Sequence, residues 1–176
     1  MLTVVKAGPR YRKLAAILDG WSEGQYLDPV SRAEVLRWTH GADVRAKDGV
    51  PADAFPATPR RERGRLPQRD FDVGRGMGQL PSCGPAGPVT AVLATRGDGP
   101  QDWLRAGQAL QRLLLRAASQ WVFADLQTQP LLTTSTRALI QTSLALPGPR
   151  QMLFGLGVAR ATRPTARRPA EKLTGA

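Results

Sequence analysis

The hydrophobic positions of this chain change their period along its length, and the changes mark its elements. Leu14, Ile17 and Leu18 recur at helical spacing between Arg10 and Leu18, and Gly20 supplies a stop. A second helix is predicted from Asp28-Pro29 to about Trp38, because Asp28 can cap the free amides and Pro29 takes the first helical position, where a missing N–H costs nothing. PVTAVLAT, Pro88 to Thr95, is rich in Val and Ala and lies between a proline and the turn residues Gly97, Asp98 and Gly99, which predicts a buried strand. The strongest periodicity runs from Asp102 to Trp121. Trp103, Ala106, Leu110, Leu113, Leu114, Ala117 and Trp121 form one stripe, with Arg105, Gln108, Arg112 and Arg116 opposite. That pattern assigns both tryptophans to the core. A further helix, Thr134 to Leu146, carries Leu139, Ile140 and Leu144 and ends at Pro147-Gly148. Gln151 to Val158 then predicts a strand in which Gly155 and Gly157 permit close backbone approach.

Between these ordered stretches, residues 40–88 are rich in Pro, Gly and Arg and hold no sustained period. A segment of that length in a compact domain reads as a lid, an arm over a partner, or a partly disordered stretch. Inside it, GRGMG (Gly74 to Gly78) resembles the start of a dinucleotide fingerprint, but no predicted strand precedes it and no helix follows. It reads as a flexible turn. Residues 159–176 form a basic, Pro-containing tail, and the whole chain, 1–176, is expected to be one domain.

Composition narrows the chemistry. With 176 residues and 41% hydrophobic content the chain is able to bury a core without disulfides. Its single cysteine, Cys83, rules out an intrachain disulfide and has no assured local cation to activate it, and with a single histidine, His40, no Cys/His metal cage assembles from this chain alone. His40 stands at a predicted helix end with no partner for proton transfer. No nucleophilic triad, paired carboxylates or metal-ligand spacing occurs. The net charge of +11 attracts polyanions, but the basic residues are spread along the chain instead of gathered on one predicted face, so a solvated Arg-rich surface is the plainer reading and nucleic-acid association the rival. MLTVVKAGPRYRK reverses the order of a secretory signal, and no apolar run approaches membrane-spanning length, so a cytoplasmic protein with no membrane partner is expected.

Several stretches together resemble the carboxyl-terminal half of actinobacterial Acg-type nitroreductase-like proteins: AEVLRWT (Ala33 to Thr39), DGVP (Asp48 to Pro51), RDF (Arg69 to Phe71), GDGPQDWLRAGQALQRLLLRA, PRQMLFGLG and PTARRPAE. The most specific part is Asp102 to Arg116, and the similarity runs nearly end to end. It implies an α+β, nitroreductase-like fold: a central sheet with helices on both faces, here as a single half. It also implies FMN as cofactor, NAD(P)H as electron donor, and nitroaromatic or quinone-like acceptors. Such enzymes hold the flavin at a subunit interface, so a homodimer or a complementary nitroreductase-like half is the implied partner. The terminal basic-basic-Pro segment places Arg167, and beside it Arg168, as the cation contacting the flavin phosphate, a role that suits a guanidinium. In ADLQTQP, Ala124 to Pro130, Thr128 and Gln129 match the loop that brings backbone groups to the reactive edge of the flavin ring. The chain departs from the pattern elsewhere. The Ala-Pro-Ser…Asn…Gln-Pro-Trp signature of the first half is missing, Asp125 and Leu126 replace an expected Ser-Pro, and Gly155 stands where Arg is usual. The resemblance therefore also allows a non-catalytic flavin-binding or partner-binding remnant.

Overall fold

The computed structural model describes residues 1–41, 48–58, 66–80, 89–158, 165 and 168–172. In chain order these hold β1 (Leu2–Val5), α1 (Pro9–Leu27), α2 (Pro29–Trp38), β2 (Thr39–His40), β3 (Val50–Pro51), β4 (Val89–Ala94), α3 (Pro100–Ala118), β5 (Val122–Leu126), α4 (Thr134–Leu144) and β6 (Arg150–Val158), with three short 3₁₀ turns. The fold is α+β. The chain divides into two compact units: residues 1–21, 63–66 and 85–160, and residues 22–62, 67–84 and 161–176.

The first unit is built on a four-stranded sheet of order β1-β4-β6-β5 in which every neighbouring pair is antiparallel. Strand β4 is apolar almost throughout because helices cover both of its faces. On one face Val92 and its cross-strand partner Leu153 pack with Leu14 and Leu18 of α1 and Ile140 and Leu144 of α4. On the other, Ala91, Leu93 and Phe154 meet Ala106 of α3, with Leu110 and Leu113 beside it. Each fully buried aliphatic side chain in these layers contributes roughly 1.5–3 kcal/mol.

The predicted elements form, with informative departures. Gly20 does not end α1, which continues to Leu27 and stops where Pro29 cannot donate. The α2 boundary is as read: Asp28 accepts from Val30 and Ser31 N–H groups, and Pro29 opens the helix. Helix α3 is set by Pro100 at its first position and by Asp102, whose carboxylate accepts from Gly99 N–H.

Helix α3 ends at Ala118, so Trp121 is not on its buried stripe. Trp121 sits in the turn with φ 56°, is 74% exposed, and touches Phe123 edge-on. Trp103 is 54% exposed as well, because the first turn of the helix leaves it at the rim of the stripe, where its indole N–H donates to Asp98. Neither tryptophan is core. Leu139 of α4 is also exposed, while Ile140 and Leu144 carry the packing. Two strands emerge that the local pattern did not mark. MLTVV supplies β1, and the segment after α3 supplies β5, which takes Ala124 to Leu126 out of the predicted loop.

In the second unit, Thr39 and His40 pair in parallel with Val50 and Pro51. A 3₁₀ turn, Ala52–Ala54, follows, and Phe55 and Val73 are buried. Ala52 and Phe55 carbonyls accept from Gln79 and Leu80, and the Phe55 and Phe71 rings lie 6.0 Å apart. Part of the Pro/Gly/Arg-rich stretch is thus ordered structure.

Candidate functional site

Strand β5 delivers the chain into a tight turn that places Thr128 and Gln129. Gln127 N–H donates to Leu153 O at 2.8 Å, tying the turn to β6, and a 3₁₀ turn follows in which Leu131 and Leu132 donate back to the Thr128 and Gln129 carbonyls. Thr128 and Gln129 are half-buried, and among the described residues their own N–H groups donate to nothing. Two successive free amides at the end of an anchored strand are able to meet an acceptor on a ligand. Asp125 points elsewhere, accepting from the Gln127 side chain at 2.9 Å.

The GDG turn before α3 organises a polar cluster in the same unit. The Asp98 carboxylate accepts from Trp103 Nε1 at 2.7 Å, Gln151 Nε2 at 3.1 Å and both terminal nitrogens of Arg137, at 3.2 and 3.0 Å. The Trp103 indole, the Gln151 amide and Arg137 hold the carboxyl below its usual range against a smaller opposing effect of burial. Arg137 also donates to the Arg150 carbonyl, and Gln151 to Thr95 Oγ1. Every lone pair faced here by a donor is already in use, so the cluster clamps α4 to the β4–α3 turn and offers no poised base.

Arg150 is a residue that the sequence pattern missed altogether. Its guanidinium is fully buried and donates through Nη2 to the carbonyls of Gln141 and Leu146 at the end of α4, while Nε and Nη1 meet no partner among the described residues. Burial, then the neighbouring Arg137 charge, pushes its pKa down. A cation at a helix carboxyl terminus is favourably placed for the dipole. The one available signal was a charged residue opening an otherwise apolar strand.

In the second unit, GRGMG is a turn, and an occupied one. Asp72, fully buried, accepts from Gly76 N–H at 2.6 Å, Met77 N–H at 2.8 Å and Gly78 N–H at 2.9 Å. Such a concave array of amides binds anions, and here the anion is the chain's own carboxylate, so no phosphate cradle is left over. Burial pushes the Asp72 pKa up, but the amides of Gly78, Gly76 and Met77 together with Arg75 outweigh it and hold the carboxyl low. Arg75 in turn donates to the carbonyls of Asp72 and Phe71 and to Thr39.

Arg168 lies in the second unit. Its Nε pairs with Asp48, and its guanidinium lies 5.6 Å from the centre of the Trp38 ring, which Arg37 also approaches at 5.7 Å. Its charge is therefore already matched by a carboxylate. Arg167 and Cys83 lie outside the described residues. His40 packs its ring against Gly49, where a Cβ would lie 2.6 Å from His40 Nε2, and among the described residues that buried Nε2 has no hydrogen-bond partner. It has no placed partner for proton transfer. Among the described residues no group of three or more His, Cys, Asp or Glu is arranged to hold a metal ion, and no helix is long and apolar enough to cross a membrane.

The residues that the resemblance assigns to FMN suit it unequally. The amides of Thr128 and Gln129 suit an acceptor-bearing ring edge, whereas the Arg168 guanidinium would have to leave Asp48 to reach a phosphate. No family model matches this chain, and no curated protein matches it.

Proposed function

We propose that this chain is one half of a nitroreductase-like, FMN-dependent oxidoreductase, without catalysis of its own and completed by a second chain, a copy or a complementary half. The observation that supports the reading is the Thr128–Gln129 turn, which presents two unused backbone donors where the resemblance calls for contacts with the flavin edge. The antiparallel sheet with helices on both faces is the layering that the resemblance implies. Arg167 is assigned as the phosphate cation on the resemblance, and Arg168 is set aside for the Asp48 pair. Bound flavin would supply the redox chemistry, taking hydride from NAD(P)H for a nitroaromatic or quinone-like acceptor, while the protein orients it. Asp98 and Asp72 are both held below the usual carboxylate range, which does not suit either to donate a proton.

The test is the visible spectrum of the chain after incubation with FMN and gel filtration. Flavin retained in a two-chain fraction is expected, with retention reduced in Gln129→Pro, which removes one donor and, because Thr128 before it is in the αR region, also disturbs the second. Arg167→Ala should reduce it too, and Arg168→Ala should not. A colourless protein refutes the reading; retained flavin with no NAD(P)H oxidation by the two-chain form leaves a binding protein and removes the oxidoreductase.

A further inference from the structure

The charge of this chain is less evenly spread than its sequence suggests. The first unit holds thirteen Lys and Arg against four Asp and Glu, and the second holds twelve against ten. Helix α3 concentrates the excess further. Successive helical residues turn by about 100°, so Arg105, Arg112 and Arg116 fall within about 40° of one another on a flank about 80–120° from Ala106. All three are exposed, none pairs with a described residue, and Asp102 is the only carboxylate on the helix. Next to this stripe stand Leu104 and Leu115, about 20° apart by the same rotation and 71% and 62% exposed. Trp103, held by its bond to Asp98, flanks the first turn. A solvated outer face has no need of two aligned leucines.

We infer that the outer face of α3 is a docking surface for an acidic protein segment, whose apolar side chains cover Leu104 and Leu115 and whose carboxylates pair with Arg105, Arg112 and Arg116. Charge complementarity selects this occupant. A second copy laid on the same face about a two-fold axis would set one arginine stripe against the other with only Asp102 of each chain to offset them. A nucleic acid would match the arginines through its phosphates but would leave the leucines against a hydrated backbone. An anionic bilayer would accept leucine and arginine, but Asp98, partly exposed and ionised, stands with Asp102 at the helix start, and the Trp103 N–H that an interfacial indole would offer to lipid is already used. The arginine fork fits carboxylates in pairs, and Arg is among the side chains that most often anchor protein interfaces.

The surface does not depend on flavin, so the chain is titrated without it. The probe is a synthetic amphipathic peptide with Leu on one helical face and Glu on the other, followed by anisotropy. Saturable binding is expected, weakened by about tenfold or more when Arg105→Glu, Arg112→Glu and Arg116→Glu are combined, since three exposed ion pairs are reversed together. The reversed protein should then bind the Lys version of the peptide, which a misfolded variant would not. Leu104→Ser with Leu115→Ser should weaken both pairings. The inference is overturned by peptide binding that ignores these variants or by no binding at all. It is equally overturned if phosphatidylglycerol vesicles or duplex DNA bind more tightly than the peptide and lose binding on the reversal, or if sedimentation finds a dimer that depends on this face.

Discussion

Replacing Asp72 by Asn preserves the shape of a buried side chain and removes its charge, so the variant isolates what the carboxylate does for the Gly74–Gly78 turn. In the native chain Oδ2 accepts from Gly76 N–H, and Oδ1 accepts from Met77 and Gly78 N–H. An asparagine that keeps the two Oδ1 bonds must aim its Nδ2 at Gly76 N–H, donor against donor, and its remaining bonds lose their charge assistance. A bond to a charged group is worth about 1.5–3 kcal/mol and a buried orphaned donor costs about 1–3 kcal/mol; the two overlap, so a loss of about 2–4 kcal/mol is expected. Urea unfolding at neutral pH measures it: with slopes of about 1–3 kcal/mol/M for small proteins, the midpoint should fall by about 1 M or more at an unchanged slope. Acid provides an internal control. The folded pKa of Asp72 lies below the ordinary 3.8, so its contribution is complete above 3.8 and disappears as pH falls through the lower folded value. The gap between native and variant midpoints should therefore narrow only below pH 3.8. A difference under about 0.5 kcal/mol at neutral pH, or one that persists undiminished into strong acid, would refute the reasoning.

Four further outcomes test the remaining arguments. Gly20→Ala and Gly24→Ala lie in α1 with open space around a new Cβ, and each should raise stability by about 0.5–1 kcal/mol. Gly148→Ala should instead lower the melting temperature sharply, because φ is +76° there and a Cβ would collide with the Thr95 carbonyl. Arg150→Met removes a buried charge with two unmet donors while keeping the volume, and chemical denaturation should find it within about 1–2 kcal/mol of native, whereas Arg150→Ala should lose about 2–5 kcal/mol through the cavity left behind. Asp98→Asn weakens the tie to Trp103 and should change tryptophan fluorescence at a stability cost of under about 1 kcal/mol, since the side chain is partly exposed. The native chain should show the same spectral change only as pH falls through a value below 3.8.

How far the site could be read in advance followed the range of each signal. Thr128 and Gln129 were marked by their match to a family loop, but what makes them available, the anchoring of Gln127 to Leu153, is a contact between strands far apart in sequence. The GRGMG segment reads as a flexible turn, and the structure shows a turn whose amides are held by Asp72, a ligand the sequence pattern does not reveal. An Asp four to six positions before free amides shows no period, and only the folded turn reveals that it fills the array. Nothing in the local pattern sets Arg150 apart from the other arginines, and its burial follows from the packing of the sheet and α4.

By itself the sequence determined the features that depend on neighbours within a few residues. The α2 start at Asp28-Pro29, the long amphipathic α3 and the apolar β4 all follow from capping, backbone sterics and side-chain period. Tertiary structure alone decided that MLTVV and the residues after α3 become edge strands, because a strand that short is stabilised only by partners more than twenty residues away. It decided that α1 runs past Gly20, since packing of Leu14, Ala15 and Leu18 anchors a helix whose glycines cost less than that burial gains. It also decided which faces of α3 are covered: the sheet takes the Ala106 side, and Trp103, Leu104, Leu115 and the three arginines are left outside because no other described element reaches them.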